Sequence, residues 1–142
     1  MLVSTKGRYA LRVMLELAER PAGEYAALGT IAADQGISEK YLESIVAVLS
    51  KAGLVDALRG KGGGYRLCRA PEEYSVREIL EVTEGDLAPV ACLKDDAVPC
   101  KTADRCRTIS MWRELYKTLN NFFDSYTVAD LLPGGDNGSW II

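Results

Sequence analysis

Three cysteines stand close together in the second half of this 142-residue chain. Cys92, Cys100 and Cys106 are separated by seven and five residues, in a stretch with little periodicity. Thiolates that converge from an irregular segment can hold a zinc ion or an iron–sulfur cluster. Reactive or buried thiols without a metal are the alternative interpretation of these three. Cys68 lies apart from them, and we expect it to be a small buried apolar residue.

A second group of residues with clear chemical potential is the glycine-rich segment RGKGGG at 59–64. Arg59 and Lys61 are flanked by glycines here, which allows the backbone to approach DNA closely. Cations and backbone amides in such a turn hold phosphates or enter the minor groove. A nucleotide-binding loop is the alternative. However, the segment lacks the GxxxxGK[ST] pattern and does not lead from a strand into a helix.

The segment from Ser38 to Lys51 predicts a helix with one polar face. Its inward positions are apolar: Leu42, Ile45, Val46 and Leu49. Its outward positions are Lys40, Glu43, Ser44, Ala47 and Lys51. Glu43 can accept a hydrogen bond from a cytosine amino group, and Lys40 or Ser38 can contact bases or phosphate. The alternative for each of these residues is a solvated side chain without a DNA contact. We assign that role to Glu39, because its position in the first turn suits the helix dipole.

The elements that position these groups form a mainly α fold with a small β-hairpin. Helices are expected over residues 4–19, 28–34, 38–51, 75–83 and 104–126. In the first helix the expected core positions are Leu11, Met14, Leu15 and Ala18. Strand-like alternation at 54–58 and 65–68 brackets the glycine-rich turn. Two helices joined by a tight turn and followed by such a hairpin, or wing, are typical of a winged helix-turn-helix.

The chain divides into four predicted segments. A winged helix-turn-helix domain occupies residues 1–83, a cysteine-containing loop 84–103, a helical region 104–132 and a disordered tail 133–142. In the helical region, apolar residues at steps of three and four make a seam from Trp112 to Tyr126. We favour a dimer interface for this seam over a core helix, because its apolar stripe is wider than one small domain needs. An extra helical turn is expected near 127–132.

Composition limits the function classes. Hydrophobic residues make up 48% and charged residues 26% of the chain, as in ordinary soluble globular proteins. We expect a cytoplasmic location and no membrane association, because there is no long apolar run and no signal-peptide core. The absence of histidine excludes Ser-His-Asp and Cys-His nucleophiles and every zinc site that needs imidazole. We therefore do not expect an enzyme.

The net charge of −3 hides an asymmetry between the two halves. Residues 1–70 contain ten Lys and Arg against seven Asp and Glu, whereas residues 71–142 contain seven against thirteen. This split suggests a basic functional face in the first half and an acidic remainder.

Four motifs together make the chain recognisable. STKGRYALR at the start, ISEKYLE, LRGKGGGYRL, and three cysteines before a helix containing MWREL form a distinctive set. Over about residues 1–132, the chain closely resembles the family of bacterial winged-helix regulators that includes the iron–sulfur regulator IscR, the nitric-oxide sensor NsrR and the cysteine-metabolism regulator CymR. The resemblance implies a homodimeric transcription factor whose long helices pair and whose loop binds a cluster.

The resemblance also implies roles for individual residues. It places DNA contacts at Ser38, Lys40, Tyr41, Glu43, Arg59 and Gly60. We add Lys61 as a further DNA contact because of its positive charge in the wing turn. It places the cluster, with 2Fe-2S favoured over 4Fe-4S, on Cys92, Cys100 and Cys106. The fourth ligand is unknown. Where IscR has its ligand histidine this chain has Ile109, and where other members have an acidic ligand it has Arg8. Candidates are Asp95, Asp96, Asp104, Cys68 or an exogenous ligand.

The predicted function is therefore an operator-binding homodimer modulated by an iron–sulfur cluster. The alternative is a cluster-free thiol or zinc sensor that acts through a protein partner, as in CymR-like regulation of cysteine metabolism.

Overall fold

Five α-helices and one antiparallel pair of strands make up residues 3–135, the part of the chain that the computed structural model describes. The helices are α1 (Thr5–Glu19), α2 (Leu28–Gln35), α3 (Glu39–Lys51), α4 (Val76–Glu84) and α5 (Ile109–Asp124). The strands are β1 (Val55–Leu58) and β2 (Gly64–Leu67). One-turn 3₁₀ helices lie at Pro71–Glu73, Ala91–Leu93, Ala103–Arg105 and Ala129–Leu131. No described helix is both long and apolar enough to cross a membrane.

Serine side chains start three of the helices. Ser4, Ser38 and Ser75 each accept a hydrogen bond from the backbone N–H three residues later, at distances of 3.1, 3.0 and 3.0 Å. Such a cap satisfies a donor that the helix itself leaves unpaired and stabilises the protein by about 1 kcal/mol. Gly36 ends α2 in the left-handed conformation, with φ of 67°, and so allows the tight turn into α3.

The main core lies where α1, α2 and α3 meet. The four inward residues predicted for α3 are all buried, and Ile31 and Ala32 of α2 are buried beside them. Tyr74, Ile79 and Val128 close the same cluster from the second half of the chain. The outward face of α3 is exposed, as its polar pattern predicted.

The core face of α1 differs from the prediction. Its buried side chains are Ala10, Val13, Met14 and Leu17, of which only Met14 was expected. Leu11, Leu15 and Ala18 are half-buried at the edge of the core. The difference arises because α1 packs on more than one side: Leu11 also contacts a second cluster formed by Val76, Leu80 and Leu87. A single-stripe pattern cannot anticipate a helix with two packed faces.

The two strands form the predicted hairpin. Val55 pairs with Leu67 and Leu58 pairs with Gly64, so the turn spans 59–63. A bridge between Ala26 and Tyr65, with N–H···O distances of 2.8 and 2.9 Å, fixes the hairpin to the segment before α2.

Helix α5 is shorter than predicted. It begins at Ile109 rather than near residue 104, because the 3₁₀ turn Ala103–Arg105 is followed by extended backbone at Cys106. Cys106 therefore precedes the helix. Three aromatic residues of this region, Tyr116, Phe123 and Tyr126, pack against the second cluster, but no residue of α5 is fully buried.

The chain beyond α5 contains the extra turn that was expected near 127–132, as the 3₁₀ helix Ala129–Leu131. Most of the tail predicted to be disordered, residues 136–142, lies outside the described residues.

Candidate nucleic-acid interface and cysteine loop

The N-terminus of α3 presents four of the predicted DNA-contacting side chains. Ser38, Lys40 and Glu43 are exposed, and Tyr41 is half-buried. The Ser38 Oγ accepts a hydrogen bond from the Tyr41 N–H at 3.0 Å, so the hydroxyl caps the helix and keeps its own hydrogen available as a donor. The Ser44 Oγ donates to the Tyr41 carbonyl oxygen at 2.6 Å. The helix start is thereby held in one conformation with its polar side chains outward.

The wing turn depends on glycines at several positions. Gly60 and Gly62 have φ of 95° and 78°, values that glycine adopts without steric cost. A Cβ atom on Gly64 would lie 2.0 Å from the Ala26 carbonyl oxygen, so this residue must be glycine for the wing to reach the body of the domain. Arg59, directly before Gly60, and Lys61, between Gly60 and Gly62, are exposed.

Helix α3, the second helix of the helix-turn-helix and hence its recognition helix, and the wing border one open cleft of about 680 Å³. The end of α3 contributes Ala47, Ser50 and Lys51 to its lining, and the wing contributes Arg59 and Gly60. None of the cations Lys40, Lys51, Arg59 and Lys61 has a carboxylate within salt-bridge distance among residues 3–135. The positive charge of this face is therefore available to an anionic partner such as a phosphate backbone.

The base of the wing is held by a side chain that sequence reasoning missed. The Tyr74 hydroxyl accepts the N–H groups of Cys68 and Arg69 at 2.9 and 3.0 Å and donates to the Leu54 carbonyl oxygen at 2.7 Å. The ring is fully buried, and burial raises the pKa of this phenol. The sequence around Tyr74, PEEYSV, carries no pattern that signals these contacts.

Cys68 is exposed, which corrects the prediction of a buried apolar residue. It follows directly after β2, and its backbone N–H is directed at the Tyr74 hydroxyl, while its side chain lies on an open cleft between the hairpin and the end of α1. The alternation of the strand ends before this position, so it does not predict the side chain's burial.

The three clustered cysteines lie on the segment between α4 and α5. Cys92 lies in the 3₁₀ turn Ala91–Leu93 and is exposed, as is Cys100, whereas Cys106 is half-buried just before α5. The Thr102 hydroxyl is 3.3 Å from the Cys100 Sγ, and this contact is the main cause that lowers the pKa of that thiol. The Thr108 hydroxyl, 3.5 Å from the Cys106 Sγ, lowers the pKa of Cys106 in the same way.

The described residues do not gather the thiols around one point. Among residues 3–135, no three His, Cys, Asp or Glu side chains lie close enough together to hold a metal ion. This includes Asp95, Asp96 and Asp104, the carboxylates considered as a fourth ligand. The predicted ligand residues thus share one segment without forming an assembled site.

Two carboxylates anchor the start of the cysteine loop, and sequence reasoning missed both. Asp86 accepts the N–H of Ala88 through one oxygen at 3.0 Å and the N–H of Asp95 through the other at 3.2 Å, which closes the backbone around Cys92. Glu84 accepts the Ser4 N–H at 3.0 Å and also contacts the Ser4 hydroxyl. The loop is therefore joined at its origin to the N-terminus of α1.

Comparison with known proteins gives one consistent match. The sequence profile of a family described as "Rrf2: Iron-dependent Transcriptional regulator" matches residues 3–134. The chain is 35% identical to the transcriptional regulator IscR of Aliivibrio salmonicida over 132 residues, which cover 93% of this chain and 77% of that protein. It is 37% identical to CymR of Bacillus subtilis over 131 residues, covering 92% and 89% respectively.

Solved structures agree with the sequence matches. The structure of CymR, the global cysteine regulator of B. subtilis, superimposes with a TM-score of 0.76 at 36% identity and covers 96% of this chain and 99% of that one. The structure of T. potens IscR gives a TM-score of 0.74 at 36% identity, with coverage of 100% and 93%.

Proposed function

Since this chain belongs to the Rrf2 family of DNA-binding transcription regulators, we propose that it binds operator DNA as a homodimer under the control of an iron–sulfur cluster. The fold is a winged helix-turn-helix, and the relatives are transcriptional regulators rather than enzymes. Our proposal goes beyond the family assignment in three respects: the homodimer, the cluster and the individual residues that contact DNA.

DNA binding is supported above all by the exposed polar face of α3, which runs from Ser38 to Lys51 and there borders the cleft shared with the wing. In this proposal α3 enters the major groove, where Glu43 and Lys40 meet base edges. Arg59 and Lys61 contact the phosphate backbone or the adjacent minor groove, and the neighbouring glycines let the backbone come close. Ser38 and Tyr41 complete the contact set at the helix start.

The homodimer is supported by an apolar stripe on α5 that the described chain leaves uncovered. Met111, Leu115 and Phe122 are 54%, 39% and 54% exposed, and they lie on one side of the helix. Their neighbours Tyr116 and Phe123 face α4 instead. A second copy of the same helix is the partner that this stripe suits, because a two-fold arrangement pairs each apolar position with an equivalent one.

The cluster is supported by the chemistry of the donor set. Cys92, Cys100 and Cys106 are the residues that would hold it, and threonine hydroxyls favour the thiolate form of two of them, the form that binds metals. The segment that carries the thiols is largely exposed and contains no helix longer than one turn between α4 and α5, so few contacts oppose its rearrangement. When bound, a cluster supplies a redox-active group whose state can bias DNA affinity.

The decisive experiment purifies the protein without oxygen and records its absorption spectrum with iron and sulfide contents. We expect a brown protein with charge-transfer bands and about two irons per chain if the cluster is 2Fe-2S. A fluorescence titration with family operator DNA then measures affinity with and without the cluster. A colourless protein that contains zinc or no metal would contradict the cluster. The result would favour the alternative, a thiol or zinc sensor that acts through a protein partner.

A further inference from the structure

Three side chains form a continuous stack from α3 across to α1. The rings of Tyr9 and Tyr41 meet edge to face, with centroids 6.0 Å apart and planes at 82°. The guanidinium carbon of Arg12 lies 4.6 Å from the Tyr9 ring centroid. Both tyrosines pack against the main core, whereas Arg12 is exposed. The stack therefore holds a cation on the surface of α1, one aromatic ring away from the start of the recognition helix.

Arg12 has no acidic partner among residues 3–135, although its sequence context offers one. Glu16, four residues later, is the expected partner on the same face of α1. However, one Glu16 oxygen pairs with Arg20 at 3.1 Å, and the other accepts a hydrogen bond from the Gln35 side chain at 2.9 Å. Asp34 is also paired with Arg20, at 3.2 Å. Within the described part of the chain, the guanidinium of Arg12 thus keeps its N–H donors free.

We propose that Arg12 is an additional phosphate contact for operator DNA, positioned by Tyr9 beside the groove that α3 enters. The inference rests on the proposed DNA-binding function. The major groove is about 12 Å wide. With α3 in the groove, Arg12 lies beyond the Tyr9 ring and so reaches the sugar-phosphate backbone that borders the groove. A planar guanidinium can bind two phosphate oxygens at once. A contact of this kind adds affinity without reading sequence.

The test is a titration of fluorescent operator DNA, and of unrelated DNA of the same length, at salt concentrations from 50 to 200 mM. Each phosphate contact contributes about 0.9 to the slope of log affinity against log salt. A dimer has two copies of Arg12, one in each protomer. Loss of both contacts should therefore make the fall in affinity between 50 and 200 mM salt about tenfold smaller. We expect Arg12→Gln to weaken binding to both DNAs equally, and Arg12→Lys to retain most of the salt slope.

Matched variants make the result specific. Lys117→Gln removes one positive charge from the exposed polar face of α5, and it should leave both the affinity and the slope unchanged. Tyr9→Phe retains the aromatic face and should behave as the unmodified protein does, because the cation needs only the ring. An Arg12→Gln variant that loses affinity with an unchanged salt slope would overturn the phosphate contact and leave Arg12 a structural role.

Failure of this inference is distinguishable from failure of the proposed function. If Arg12→Gln binds as tightly as the unmodified protein while Arg59→Ala binds weakly, Arg12 is not a DNA contact, and the winged helix still is. If the unmodified protein binds neither DNA in either cluster state, the proposed function itself fails.

Discussion

At the scale of single residues, the hydroxyl of Tyr74 joins three backbone groups at the base of the wing, with distances between 2.7 and 3.0 Å. Tyr74→Phe should lower the free energy of unfolding by about 1–3 kcal/mol, because the Leu54 carbonyl loses its side-chain donor in a buried position. Urea unfolding followed by circular dichroism measures the change. Tyr65→Phe, at a half-buried tyrosine whose hydroxyl makes no hydrogen bond within residues 3–135, should change stability by less than about 0.5 kcal/mol.

The same tyrosine predicts a dependence on alkaline pH. Burial raises the pKa of Tyr74 in the folded protein above its usual value near 10. The unfolded chain then releases this proton first as the pH rises through about 10, so folding stability falls there and is fully present below that pH. The stability difference between the unmodified protein and Tyr74→Phe should shrink over this range. A constant difference would contradict the assignment.

Glu43 and Arg59 should separate the two kinds of DNA contact. Glu43→Ala is expected to relax base preference, by about 1–3 kcal/mol at the contacted pair, with little loss on variant operators. Arg59→Ala should instead weaken binding to all sequences alike. A competition assay over operators changed one base pair at a time measures both effects. An unchanged order of preference in Glu43→Ala would remove its proposed role in reading bases.

At the scale of elements, α5 carries an apolar stripe that residues 3–135 leave exposed. Phe122→Glu places a charge in the exposed apolar stripe, and we expect the dimer dissociation constant to rise by at least about thirtyfold, as when a buried aromatic anchor is lost. Sedimentation velocity across a concentration series measures this constant. Lys117→Glu changes charge on the opposite, polar face and should leave the dimer intact. Equal effects of the two variants would place the interface elsewhere.

At the scale of the whole molecule, the cysteine loop and the DNA-binding domain are joined through the contact between Glu84 and the N-terminus of α1. A group that orders the loop can therefore bias the position of α1, and with it the two recognition helices of a dimer. Linkage limits the size of this effect. The cluster can change DNA affinity only by as much as it stabilises the arrangement that binds DNA well over the one that binds it poorly. The expected operator is a near-palindrome whose half-sites lie about one helical turn apart.

The cysteines test this connection directly. Cys92→Ser, Cys100→Ser and Cys106→Ser should each abolish the cluster, whereas Cys68→Ser should retain it, because Cys68 lies at the wing. Anaerobic reconstitution with iron and sulfide analysis, followed by an operator titration, measures both properties. Loss of the cluster in Cys68→Ser together with its retention in Cys100→Ser would require a different ligand set. Equal operator affinity of all variants, with and without iron, would end the sensor proposal and leave DNA binding in place.

Local patterns in the sequence determined the helix-turn-helix and the wing. The spacing of Leu42, Ile45 and Leu49 predicted the buried face of α3, and the run of glycines predicted the turn, because helical period and positive φ are properties of short segments. The motifs also carried the family resemblance, which the comparisons confirmed.

Only the tertiary structure decided which side chains meet across long separations in the chain. Ser4 and Glu84 are 80 positions apart, and Tyr74 and Leu54 are 20 apart, so no periodic pattern links them. The second packed side of α1 and the exposure of Cys68 have the same origin. So does the lack of a carboxylate partner for Arg12 among residues 3–135. Each depends on which element occupies the neighbouring space, and that is settled by packing of the whole chain rather than by the preference of any one segment.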